Sequence, residues 1–317
     1  MGTAAERNGI TIQYCMSWPR HMMQSIELQA VTQARASGDY HPGNGQWNIG
    51  LSSMFARAIG VRPTKDNFWS TRAERGRYGN DTETRNRLQS LVSTLSTGPV
   101  APSDDIGGSD VDLIMRSCRQ DGKLLQPDRP AVLSQRSILA RAGLSDTPSD
   151  GEGEVWVTKS TLSDLSWHYI VAIDSKARNF TADDLSGNDN VVSEMRAWES
   201  NNTKSVQSFD STKSIHIPDT DEYNFNFWTA APVLSNGFVF MGEADTKWVA
   251  VSQDRFSEMV VYPDMFYITA EGYPGEEITM LYIEPDQLTP VAFKCTFTES
   301  STLKIQVSSS GGVCMEM

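Results

Sequence analysis

The chain has 317 residues, 39% hydrophobic and 21% charged, with 23 glycines and 14 prolines, which excludes disordered and collagen-like classes and leaves one large barrel or two moderate domains. Forty acidic against 27 basic side chains give a formal charge of −13, a field that repels phosphate backbones, so no nucleic acid partner is expected. No run approaches the roughly 18 to 20 apolar residues needed to span a bilayer, so no membrane partner is expected, and the start Met1 to Arg7 lacks a signal peptide's apolar segment.

Four strand-like runs alternate with helical runs, the pattern of β-α units on a parallel sheet. The first predicted strand covers residues 10–16, followed by a helix from Pro19 through Ile26. The second covers 31–37, and its helix lies near 49–59, where Ile49, Met54, Ala56 and Ile59 form a helical stripe. The third covers 66–70, with a helix over 88–97 stopped by Gly98-Pro99. The fourth covers 100–103, with a helix over 111–119 stopped by Asp121-Gly122. Residues 143–153 carry almost no apolar side chains and read as a linker, which divides the chain into 1–142 and 154–317. Beyond the linker come short strand candidates without an amphipathic helix: 154–158, 167–173, 225–233, 237–241, 247–251, 259–262, 265–269, 278–283, 291–297 and 303–307. They predict a β-sandwich, so the expected fold class is α/β followed by all-β.

In such a parallel array, chemistry collects where strands end and loops begin. The two-residue period of the second strand puts Gln33, Arg35 and Ser37 on one face and Thr32, Ala34 and Ala36 on the other. Alanines pack under a covering helix, whereas an inward Arg35 needs an anion or water. Asp39 follows at the strand end, where it reads either as a general acid or as half of a structural Arg-Asp pair. A proton-donating carboxyl needs burial or a like charge beside it. The third strand passes from Asp66 through Phe68-Trp69 into Ser70-Thr71, and the fourth ends in Ser103-Asp104. Aromatic rings among carboxylates and hydroxyls suit a carbohydrate substrate, and the competing reading makes Phe68 and Trp69 core.

The runs Arg35-Ala36-Ser37-Gly38-Asp39, Arg62-Pro63-Thr64-Lys65-Asp66-Asn67-Phe68-Trp69-Ser70, Val100-Ala101-Pro102-Ser103-Asp104, Asp121-Gly122-Lys123-Leu124-Leu125 and Asp128-Arg129-Pro130 resemble, in that order, a family of enzymes. It is the raffinose synthase and alkaline α-galactosidase branch of glycoside hydrolase family 36, matched over roughly residues 10 to 135. The resemblance implies the C-terminal half of a (β/α)8 TIM-type barrel, strands five to eight, within 1–142. It implies a retaining α-galactosidase or galactosyl-transfer reaction without metal or organic cofactor. Asp39 would be the acid/base, with Arg35, Asp66, Trp69, Ser103 and Asp104 binding substrate. Thr64 and Lys65 replace an aspartate and a tryptophan of the family's strand-seven segment. The family's nucleophile, on strand four in a Lys-x-Asp setting, has no counterpart among these residues.

Four β-α units leave two unpaired strand edges, so the resemblance also implies that the missing N-terminal half of the barrel is a partner and that the isolated chain is inactive. The alternative is a non-catalytic carbohydrate-binding or interaction protein on a degenerate glycosidase scaffold. Localisation is open, and three sequons, at Asn80, Asn179 and Asn201, are compatible with a secreted or lumenal full-length form.

Other signals point elsewhere or nowhere. The four cysteines are too dispersed for a zinc site, although Cys295 and Cys314 could form a disulfide in an oxidising compartment. The chain lacks a His-Glu-x-x-His, a phosphate loop and a Gly-x-Ser-x-Gly elbow, and His21, His41, His168 and His216 are scattered. Trp156, Trp167, Trp228 and Trp248 read as sandwich core or, alternatively, as a sugar-stacking platform.

Overall fold

The computed structural model describes residues 1–15, 17–45, 49–76, 79–143, 154–185, 194–221 and 223–317. The predicted linker, apart from Gly143, lies outside the described residues. The chain divides into two compact units: Met1–Ile114 with Arg129–Leu133, and Met115–Asp128 with Ser134–Met317.

The first unit contains the parallel sheet. Strands β1 (Ile12–Tyr14), β2 (Val31–Arg35) and β3 (Arg62–Thr64) lie in that order, all parallel. Helices α1 (Gly2–Arg7), α2 (Pro19–Gln24), α3 (Gly50–Ala58) and α4 (Asn86–Leu95) alternate with them. Ala34 is wholly buried in a cluster with Met22, Ala56 and Val61, against which Tyr14, Phe55 and Ile59 pack. This is the small-residue face expected of β2, and it leaves Gln33 and Arg35 on the opposite face with their register partners Gln13 and Thr64.

The third and fourth predicted strands are corrected. In place of strands over 66–70 and 100–103, Phe68 and Pro102 form a single parallel bridge, so the parallel array has, among the described residues, three strands and a bridge in place of the four strands of a half barrel. The reason is local. Pro99 and Pro102 have no N–H to give a ladder, and the polar side chains from Asp66 to Ser70 hydrogen-bond to neighbouring loops.

Gly98, foreseen as the stop of α4, is fixed by space. A Cβ there would lie 2.5 Å from Thr64 Cγ2 and 2.9 Å from the Pro63 carbonyl oxygen. Gly98→Val is therefore expected to destabilise the first unit by about 1–3 kcal/mol through overpacking, read as a lower urea midpoint.

Strand β4 (Val132–Leu133) belongs to the first unit; the second unit is antiparallel β structure and includes a small ribbon of β7 (Arg178–Phe180) and β10 (Ile215–Ile217). Its largest sheet runs β5 (Glu154–Leu162), β6 (Leu165–Ile173), β11 (Asn226–Pro232), β8 (Met195–Glu199), β9 (Asn202–Phe209). A second sheet has the order β12 (Val239–Gly242), β15 (Glu277–Ile283), β16 (Pro290–Thr296), and a third β13 (Phe256–Val261), β14 (Met265–Glu271), β17 (Thr302–Ser308), β18 (Gly311–Glu316). Phe240 of β12 meets Phe256 and Phe266 edge-on, with ring centroids 5.1 and 5.8 Å apart, so those two sheets share an aromatic core. The Trp167 indole N–H donates to the Phe240 carbonyl at 2.8 Å and ties in the largest sheet. Trp156, Trp167 and Trp248 are buried to within 2% of fully, the core alternative of the sequence reading. Cys295 and Cys314 are disulfide-bonded and join β16 to β18, the outermost strands of two different sheets.

A charged cluster sits inside this unit. The fully buried Arg255 donates to Glu243 at 2.8 Å and to Glu276 at 2.5 and 3.1 Å, and both carboxylates are buried. Glu276 also accepts the Gln120 N–H, while Lys247 Nζ donates to the carbonyls of Met115 and Cys118 at 2.7 and 2.6 Å. The Arg116 guanidinium lies 4.1 Å from the centre of the Trp248 ring. These contacts assign residues 115–128 to the second unit, although the sequence reading placed them with the barrel. They also end the helix expected over 111–119 at Met115, because the next carbonyls bond to Trp248 and Lys247. The strand expected over 247–251 is absent for the same reason: the Trp248 N–H goes to Arg116.

Candidate active site

Because β1, β2 and β3 are parallel, the chain leaves all three at one end of the sheet. There the side chains singled out in the sequence meet. Arg35, the last residue of β2, is 8% exposed; its Nη2 donates to Asp39 Oδ1 at 2.5 Å and its Nη1 to Asp66 Oδ2 at 3.2 Å. Burial opposes the charge on Arg35, and the Asp39 hydrogen bond with the field of Asp66 outweighs it, holding the guanidinium above its ordinary pKa.

The two aspartates differ. Asp66 is held from every side: Oδ2 also accepts the Tyr40 N–H at 2.8 Å, Oδ1 accepts the Asn67 N–H at 3.0 Å, and its own N–H donates to Ser37 Oγ at 2.8 Å. It fixes the geometry of the strand ends. Asp39 is 74% exposed, so the hollow expected around it is not formed by the described residues of this unit.

Ser103 and Asp104 are also brought to this end. Ser103 Oγ accepts from Asn67 Nδ2 at 2.7 Å, and Asp104 accepts the Ser70 N–H and hydroxyl, each at 2.6 Å. Asp104 thus ties the segment after Phe68 to the segment after Pro102. Trp69 is 5% exposed and packs edge-on to Tyr40 in a cluster with Phe68, with Val100 against it. Its ring lies in that core, the competing reading that the sequence offered for Phe68 and Trp69.

Three further residues shape the site and were not among the predicted catalytic and substrate-binding residues. The Tyr40 hydroxyl donates to Glu83 Oε2 at 2.9 Å and accepts the Trp69 N–H at 3.1 Å. Desolvation raises the Tyr40 phenol well above its usual range, so it stays protonated. Glu83, wholly buried, lies in a stretch without apolar periodicity and gave no signal in the sequence. Adjacency to Asp39 was the available clue for Tyr40.

Lys65 is the third. It is 3% exposed, donates to the carbonyls of Asp66 and Asn67 at 3.1 and 3.2 Å, and lies 5.4 and 5.5 Å from the centres of the Tyr40 and Phe68 rings. Burial pushes its amine down to about 7, against the opposing fields of Asp66 and Glu83. The unfolded chain, with an ordinary lysine, binds the proton more tightly, so stability should rise with pH between about 7 and 10. Lys65→Met should flatten that slope and raise the urea midpoint at pH 7. An unchanged slope would remove Lys65 as its source.

No group of three or more His, Cys, Asp or Glu side chains able to hold a metal occurs among the described residues.

No family model matches the chain, and no curated protein matches it in sequence. Among solved structures, a candidate α-N-acetylgalactosaminidase from Bacillus halodurans is similar at 12% identity with a TM-score of 0.30. The match covers 68% of this chain and 62% of that one, so the chain spans less than two thirds of its length. Similarity at that level does not establish a shared fold.

Proposed function

We propose that the first unit carries the acid/base side of a glycosidase site acting on α-glycosides, of α-galactosidase or galactosyl-transfer type. Asp39 is the proton donor and acceptor, Arg35 and Asp66 orient it, and Asp104 and Ser103 brace the adjoining loops. The observation that carries this reading is the shared guanidinium: one buried Arg35 holds a constrained aspartate on one side and an accessible one on the other, at the end of parallel strands.

Retaining hydrolysis needs a second carboxyl about 5–5.5 Å from the first, across the scissile bond. In this reading it comes from chain outside residues 1–317, which adds parallel strands to the open edge of β1 and closes the wall beside Asp39. The test is to supply a Lys-x-Asp-bearing barrel half and assay aryl α-glycosides. No turnover by a folded assembly would sink the proposal.

The exposure of Asp39 favours a second reading, a carbohydrate-binding protein without catalysis. A general acid gains its function from a desolvated setting, and Asp39 lacks one here. Glycan binding without turnover in that same assembly would decide for it.

A further inference from the structure

A pocket of about 400 Å³ opens between the loop after Ser70 and the turn after Asp104, walled by Ala73, Glu74, Arg75 and the run Asp105-Ile106-Gly107-Gly108. Its size falls within the roughly 300–1,000 Å³ typical of small-molecule sites. Phe68 and Pro102 are bridged in parallel, so both loops leave at the end of the array where Asp39 and Asp66 lie.

The wall is held in place by its own hydrogen bonds. Glu74, 9% exposed, accepts the Thr71 hydroxyl through Oε1 and the Asp105 N–H through Oε2 at 3.0 Å. Asp105 in turn accepts the Ile106 N–H on its carboxylate at 2.9 Å and the Gly108 N–H on its carbonyl at 2.9 Å. The turn is thereby fixed with the Ile106 side chain fully exposed, so Ile106 adds nothing to the unit's core.

The wall chemistry narrows the ligand. Two carboxylates disfavour an anion, Arg75 disfavours a cation, and among the described residues Ala73 and Ile106 alone bring apolar side chains, which disfavours a hydrocarbon. A neutral polyol satisfies all of it: carboxylate lone pairs accept hydroxyl protons, the guanidinium donates to hydroxyl oxygens, and Ile106 covers the C–H face of a ring.

We propose that this pocket is a second carbohydrate subsite, binding a neutral hexopyranose unit of an oligosaccharide whose reacting bond lies at Asp39. It rests on the reading of the first unit as a site for α-glycosides, and it adds an anchoring position that does no chemistry. Binding energy gained there serves to hold the reacting sugar in place.

Raffinose titrated into the intact chain, followed by saturation-transfer NMR, tests it. Arg75→Ala removes an exposed donor without touching the core. Gly108→Val puts a side chain against Glu74, whose Oε2 lies 3.2 Å from the Cβ position. Each variant should weaken raffinose binding about tenfold or more, equivalent to ~1.4 kcal/mol, with an unchanged melting curve for Arg75→Ala. Wild-type affinity in Arg75→Ala, or no raffinose binding by the wild-type chain, overturns the subsite. The active-site reading fails separately, if Asp39→Asn in the completed assembly turns over normally; raffinose binding that still depends on Arg75 would then leave the pocket standing.

Discussion

Replacing Arg255 by alanine is expected to remove about 3–5 kcal/mol from the stability of the second unit, the largest effect on stability foreseen for any single substitution considered. The guanidinium is fully buried and makes three hydrogen bonds to Glu243 and Glu276. Without it, two carboxylates remain inside the protein with no cation of matching geometry. Burial already raises the pKa of Glu243 despite Arg255. In Glu276 burial acts in the same direction, yet the bonds from Arg255 prevail and hold its carboxyl below the usual range. A second variant separates an unpaired charge from lost packing. Arg255→Met with Glu243→Gln and Glu276→Gln removes every charge of the triad while keeping an acceptor for the N–H groups of Gln120 and Tyr273, and should recover most of the loss, because the cost of the single variant lies mainly in the charges it leaves unpaired. Urea midpoints of the single and triple variants provide the comparison. Equal losses in both would mean that shape, not charge, makes Arg255 indispensable.

The second large effect concerns chemistry. In an assembly that restores the missing carboxyl, Asp39→Asn should lower turnover of unactivated α-glycosides by roughly 10²–10⁴, the range contributed by a positioned acid or base. The effect should depend on the leaving group. A glycosyl fluoride needs no proton to depart, so the loss in its bond-cleavage step should be small, whereas an alkyl glycoside should show the full loss. A uniform loss across leaving groups would assign Asp39 to binding or folding instead. Arg35→Lys should sit between wild type and Asp39→Asn, because an ammonium cannot reach Asp39 and Asp66 with two arms of one planar group.

The pairing of Arg35 with Asp39 was legible because a period of two leaves little freedom, whereas Asp66 was read as the start of the third strand, the opposite end of a parallel sheet, and reaches Arg35 because β3 already ends at Thr64. Once Ala34 goes under the helices, Arg35 faces the other way and the β2 loop must pass the end of β3. The extent of the sheet was not legible. Asp66 to Ser70 has the composition of a strand interior only if its polar side chains are ignored, and the hydrogen bonds of Asp66, Asn67 and Ser70 consume the segment as a loop. The β9 strand, Asn202–Phe209, escaped because it lies at a sheet edge and its exposed residues mask the alternation. Glu83 was hidden for a different reason: a buried carboxylate inside a polar loop looks in sequence like any solvated one. The roles of residues 115–128 depend on Trp248, Lys247 and Glu276, more than a hundred positions away, which no local pattern encodes.

The path of the chain through its two units has a practical corollary. It enters the second unit at Met115, returns to the first for Arg129–Leu133 and then leaves it again at Ser134. A single cut near residue 143 would therefore not yield two autonomous modules. The upstream piece would carry away peptide that belongs under Trp248, and the downstream piece would be left with an unfilled seat. Mixing the two pieces should restore what each lacks alone, a reassembly that a simple bead-on-a-string arrangement would neither require nor display.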